Sequence, residues 1–128
     1  MTWPTLTVPG RIRGKKNRAR IIRNRRTGAL GLIQEKESVA WERAAVALLR
    51  AQWAPRPALA VPLRLVCQVR IHPQQRGDLT NYLSAASDAL EKAGVVANDR
   101  LFVHITATRT TDRQNPGVTM TLRPIDEA

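Results

Sequence analysis

Between Leu79 and Ala93 the apolar residues Leu79, Tyr82, Leu83, Ala86, Ala89, Leu90 and Ala93 recur at three- and four-residue steps, and Gly94 follows the last of them. That spacing lines up one face of an α-helix and no face of a strand, so the segment is expected to be a helix with a core-facing stripe. Gly94 ends it, because a left-handed conformation there meets no Cβ clash. Around the same helix stand three carboxylates, Asp78, Asp88 and Asp99. At about 100° per residue, Asp78, Asn81, Ala85, Asp88 and Lys92 share a stripe beside the apolar one, which offers a polar face for chemistry. The same geometry limits it: Asp78 and Asp88 are separated by roughly 15 Å along the axis, too far to share one ion inside a straight helix. Asp78 is therefore expected at or before the first turn. Asp99, on the exit loop, meets it only if the chain after Gly94 doubles back, and five extended residues span at most about 17 Å.

These acids stand in a basic chain. The 128 residues carry 21 Lys and Arg against 10 Asp and Glu, a net charge of +11, which points to a polyanionic partner. Arg11, Arg13, Lys15, Lys16, Arg18, Arg20, Arg23, Arg25 and Arg26 all precede residue 28, with no acid among them. Such a segment repels itself unless phosphates neutralise it, so its binding should weaken steeply with salt. It reads as a DNA-contacting segment over 10–28, against a disordered solubilising arm or an RNA-binding tail. Asn17 and Asn24 with Gly14 and Gly28 favour a structured loop.

Length allows one domain, 1–128, and one modest core built from the 43% hydrophobic content. Leu6 to Val8 is a short strand stopped by Pro9 and Gly10. Ser38 to Trp53 is a first helix, with Trp41, Ala44, Ala45, Leu48 and Leu49 on one face and Glu42 and Arg43 outside. Pro55 and Pro57 stop it. Val61 to Ile71 alternates as a strand, and His72 to Gly77 form a loop that delivers Asp78. Leu101 to Thr108 and Val118 to Leu122 are expected to form a hairpin with its turn near Asn115, Pro116 and Gly117. The order gives an α+β domain, a mixed sheet of about four strands with two helices packed on it.

The run DLTNYLSAASDALEKAG followed by ND resembles the signature of the RusA-type Holliday-junction resolvases, small metal-dependent endonucleases common in phages and prophages. Asp78, Asn81, Asp88 with Ala89 and Leu90, Gly94 and Asp99 match that pattern in order and spacing. VPGRIRGKKNRAR resembles the entry segment of phage-type members, so the likeness runs over about residues 8 to 108. Thr80 stands where well-studied members carry a second metal-binding Asp, Ser84 where they carry a catalytic Lys, and Asn98 replaces the first acid of an acidic pair. The resemblance implies a homodimer, whose two-fold symmetry suits the two scissile strands of a four-way junction. It also implies phosphodiester hydrolysis with Mg²⁺, Mn²⁺ being possible, held by Asp78 and Asp99, with Asp88 supporting through a second shell or second ion. The basic residues of the first 28, with Arg70 and Arg76, are expected to hold the DNA backbone. The alternative is a branched or single-stranded DNA-binding protein whose chemistry is weakened or lost.

Bland roles are assigned to the other conspicuous residues. Cys67 lies in an apolar run and reads as a core thiol. Trp41 and Trp53, at helical spacing, read as core or dimer contacts. His72 and His104 are too far apart in sequence to suggest a ligand pair, and Lys92 can pair with Asp88 at four-residue spacing. Without a membrane-length apolar run or the order of a signal peptide, the expected location is the cytoplasm, nucleoid-associated, or the host cytoplasm for a phage-encoded protein.

Overall fold

Alternation decides the sheet. In the strand Leu63–Ile71, Leu63, Leu65, Cys67, Val69 and Ile71 are buried on one side, while Arg64, Val66 and Gln68 face out on the other. Pro62 precedes its first residue; lacking an N–H, proline is a poor member of a central strand. The structure, a computed structural model, describes residues 3–14, 19–23, 30–34 and 36–126. Its elements in chain order are β1 (Thr5–Pro9), β2 (Ala19–Arg23), β3 (Leu30–Gln34), α1 (Lys36–Trp53), β4 (Leu63–Ile71), α2 (Leu79–Lys92), a 3₁₀ turn (Asp99–Leu101), β5 (Phe102–Thr111) and β6 (Gly117–Pro124).

Four strands make a mixed sheet in the order β1-β6-β4-β5, with β4 and β5 parallel and the other pairs antiparallel. The expected α+β architecture of two helices on one sheet is what the chain adopts. The helices cover one face. Between the layers lie Leu6, Val8, Leu65, Val69, Met120 and Leu122 from the strands and Ala45, Leu49, Trp53, Ala86, Ala89 and Leu90 from the helices, all buried. Cutting one of these leucines to alanine would cost about 2–5 kcal/mol. Among the described residues, no helix is long and apolar enough to cross a membrane.

The expected hairpin of the last two strands does not form. β4 lies between β5 and β6 and pairs with both. β6 carries Val118, Met120 and Leu122 on the core side and fits an interior position, whereas β5 is exposed along almost its whole length and takes the edge. The connection passes the end of β4: Asp112 N–H donates to the Ile71 carbonyl at 2.8 Å. Asp112 Oδ1 then accepts from the N–H groups of Gln114 and Asn115, an Asx-type turn.

The buried stripe of α1 is Trp41, Ala45, Leu49 and Trp53, narrower than expected; Ala44 and Leu48 lie exposed, and Glu42, expected outside, turns toward α2. The basic segment contributes a strand that its charge pattern concealed: β2 pairs antiparallel with β3, which follows the segment, with Arg20 opposite Ile33 and Arg23 opposite Leu30.

Candidate active site at the ends of helix α2

Asp78 is the N-cap of α2: its backbone is extended and its Oδ1 accepts from the Asn81 N–H at 2.7 Å. A carboxylate there satisfies an otherwise unpaired helix donor and complements the positive end of the helix dipole. The turn that carries it is held from two sides. Tyr82, buried on α2, donates its hydroxyl to the Arg76 carbonyl at 3.1 Å, and Arg109 from β5 donates to the Gly77 carbonyl at 2.5 Å. Arg109 pairs in register with Val69, so it belongs to the helix side of the sheet. Asp78 itself remains exposed.

Beside this turn the chain from Arg11 to Gly14 lies as a strap. Ile12 is buried, its carbonyl accepts from Gln75 Nε2 at 2.9 Å, and the Gly14 carbonyl accepts from Ser38 Oγ at 3.1 Å. Gly14 leaves room for Asn81: a Cβ would stand 2.1 Å from Asn81 Nδ2 and displace that amide. Strap, loop and helix end enclose a cavity of about 350 Å³ lined by Arg11, Arg13, Arg76, Gln74, Gln75 and Asn81, with Ile12, Gly14 and Tyr82. His72 opens the loop, its N–H donating to Gln75 Oε1 at 2.7 Å. Partial desolvation, then the nearby Arg11 and Arg113 charges, hold its imidazole below the usual range.

The polar stripe expected along α2 is not an open face. Ala85 is buried, and Asp88 is only partly exposed and pairs with Lys92 at 3.2 Å, while Lys92 also pairs with Glu42 of α1. The Glu42 hydrogen bond raises the Lys92 pKa, burial opposes it, and the Asp88 hydrogen bond with the charges of both acids adds to the rise. Arg50 of α1 donates to the Lys92 carbonyl at 3.1 Å, which places a cation at the negative end of the helix. This end of α2 is fastened to α1.

Asp99 belongs to the same end. Its N–H donates to Glu91 Oε1 at 3.1 Å, and soon afterwards Phe102 pairs with Leu63, the first residue of β4. Gly94 takes the left-handed φ of 79° expected of it, yet the chain does not double back toward Asp78. With α2 14 residues long, Asp78 and Asp99 are separated by about 20 Å along the helix. Among the described residues no three of His, Cys, Asp and Glu come together as a cation site. One chain thus does not bring Asp78, Asp88 and Asp99 to a common ion.

Residues 9–123, nearly the whole chain, match the family model of Endodeoxyribonuclease RusA. The chain belongs to the RusA family. No curated protein matches it. RusA endonucleases as a family act on Holliday junctions and depend on divalent metal. The three departures from the RusA signature have different surroundings. Thr80 and Ser84 are exposed on α2, and neither supplies charge. Asn98 caps the 3₁₀ turn by accepting from the Arg100 N–H at 2.8 Å, a role that Asn and Asp fill equally well.

The expected DNA-contacting residues divide by position. Arg11, Arg13 and Arg76 line the cavity. Arg70 lies on the opposite face of the sheet, donating to Thr119 Oγ1 at 2.7 Å and to the Asn115 carbonyl at 3.2 Å. Arg20 and Arg23 belong to β2, and Lys15, Lys16, Arg18, Arg25 and Arg26 lie outside the described residues. Arg109 was missed from sequence, although a charged residue on the side that Ile105 and Ala107 share was the available signal. Gln75, which ties the strap to the loop, carried none. Cys67 is buried, and burial pushes its thiol up to about 11, in keeping with an inert core residue.

Proposed function

We propose that the protein is a metal-dependent endodeoxyribonuclease that cuts four-way junctions as a two-fold dimer, with Asp78 and Asp99 as its metal-binding carboxylates. The observation that carries this reading is the position of the two acids. Both are exposed, and they stand at opposite ends of one helix. Mg²⁺ takes an octahedron of oxygens, for which one isolated carboxylate is a poor site. A two-fold pairing of chains could bring Asp78 of one copy to Asp99 of the other and would do so twice, once for each scissile strand. The cation, Mg²⁺ or Mn²⁺, would supply an activated water and charge stabilisation for phosphodiester hydrolysis. Arg109 and Tyr82 hold the turn that presents Asp78, Asp88 belongs to the clamp with Lys92 and Glu42, and the arginines beside Asp78 orient the backbone. The reaction would take place where the DNA lies, in the cytoplasm.

The test uses a labelled four-way junction and a matched linear duplex, with Mg²⁺, Mn²⁺ or chelator. Paired, metal-dependent nicks in the junction alone support the reading. Thr80 and Ser84 favour a second one, junction binding without chemistry. Tight junction binding with no nick under either metal would establish it.

A further inference from the structure

The cavity beside Asp78 has its own construction. Its volume of about 350 Å³ falls in the range of small-ligand pockets, roughly 300–1,000 Å³. Arg11, Arg13 and Arg76 contribute to its walls, and among the described residues no Asp or Glu does. Arg13 is offset by Glu37 of α1 at 3.2 Å, while no such pair holds Arg11 or Arg76 among the described residues. Exposed arginines usually do no more than solvate a surface. Here they surround a concavity whose backbone is fixed at both edges, by Gln75 on the Ile12 carbonyl and by Ser38 on the Gly14 carbonyl. Arginines lining one concavity carry like charge that an anion among them would offset, and the planar guanidinium fork matches phosphate. Gln74 and Asn81 bring amides, the groups that read base edges.

We propose that this cavity seats one nucleotide of a DNA strand, its phosphate between Arg11 and Arg76 and its base toward the amides of Gln74 and Asn81. Arg76 precedes Asp78 by two residues and Asn81 follows it by three, so the seated nucleotide borders the carboxylate. A nucleotide fits there only when freed from its base pair, as at the exchange point of a junction. The inference rests on the junction-endonuclease reading for its place in the reaction, but not for its chemistry.

The test is titration calorimetry of the full chain with thymidine 5′-monophosphate, thymidine and a short oligothymidylate, repeated for Arg11→Ala, Arg76→Ala and the double variant. Circular dichroism checks that each variant is folded. Wild-type protein is expected to bind the monophosphate and not the nucleoside. Each replacement should weaken monophosphate and oligonucleotide binding by about tenfold, the effect of one charged hydrogen bond. Unchanged monophosphate binding in the folded double variant overturns the proposal, as does equal binding of thymidine. If the variants lose the monophosphate but keep the oligonucleotide, the cavity serves free nucleotides and the assignment to DNA is wrong. Wild-type junction cleavage, assayed in parallel, separates the two readings. Cavity binding without cleavage sinks the endonuclease and keeps the nucleotide seat, and cleavage with indifferent arginine variants does the reverse.

Discussion

At the N-terminal end of α2 a carboxylate, Asp78, caps the helix and stays exposed beside a cavity of arginines, whereas toward the C-terminal end Asp88 is locked with Lys92 to Glu42 of α1. Both acids share the stripe that helical spacing predicts. What separates them is the partner that tertiary structure brings. Asp88 meets an ammonium already shared with another helix, and among the described residues Asp78 meets the backbone of its own helix beside an arginine-lined surface. A carboxylate satisfied by a neighbouring cation contributes to stability, while one left facing solvent is available to a metal ion. Asp99, exposed near the fastened end of the same helix, lies about a helix length from Asp78.

Replacing the exposed acid should have the largest effect. Asp78→Asn preserves the cap, since Asn and Asp cap equally well, but removes a charge. Junction cleavage should fall by about 10³-fold, the scale of several kcal/mol of lost charge stabilisation, with thermal stability unchanged. Asp99→Asn should behave alike. Mixing the two inactive variants should restore about a quarter of the wild-type rate, because each mixed dimer regains one intact pairing of Asp78 with Asp99. A mixture as inactive as its components would mean that the acids do not act across two chains.

Arg109→Gln loosens the turn under Asp78 without touching the core. Cleavage should drop by about tenfold while the melting temperature stays within error, a split that a purely structural residue would not give. Lys92→Met works at the opposite end. It leaves Glu42 and Asp88 facing each other without their cation and should lower stability by about 1 kcal/mol, a value kept small because the ammonium is half exposed. The midpoint should fall by roughly 4 °C with cleavage per folded molecule unaltered. Loss of cleavage at full stability would instead move Asp88 into the reaction.

The smallest effect is a titration. The His72 imidazole, held below its ordinary value of 6.5 by desolvation and by Arg11 and Arg113, should show its NMR midpoint under that value in the free protein. The folded state then binds fewer protons than the unfolded state. The contribution of His72 to stability is full above pH 6.5 and is lost as pH falls through the lowered midpoint. An oligonucleotide seated on Arg11 should move the midpoint back up. A free-protein midpoint at or above the ordinary value would contradict the electrostatics of the loop.

Much of the fold was legible because its signals are short-ranged. The periodicity from Leu79 to Ala93, the stop at Gly94 and the alternation expected from Val61 to Ile71 need only a few neighbouring residues to be read, and each element formed, the strand starting at Leu63. The Asp88–Lys92 pair likewise follows from a single helical turn. Strand order was not legible. Phe102–Thr111 and Gly117–Pro124 look like two arms of a hairpin until the core side of Val118, Met120 and Leu122 is matched against β4, which takes the place between them. β2 was hidden in the arginine-rich run, where ARIIR shows no alternation, and β3 is a five-residue strand that, among the described residues, pairs only with it.

The sequence by itself determined the two helices, the first starting two residues before the expected Ser38, the basic charge and the family signature carried by Asp78, Asn81, Asp88 and Asp99. Tertiary structure alone decided what each of those side chains meets. Asn81 packs against Gly14, Asp88 meets the ammonium shared with Glu42, Asp99 lies about a helix length from Asp78, and Arg109 crosses from the edge strand to the Gly77 carbonyl. Periodicity and capping are written into neighbouring residues, whereas these contacts join residues far apart in sequence and exist only once the sheet order and the paths of the connecting segments have been chosen by packing.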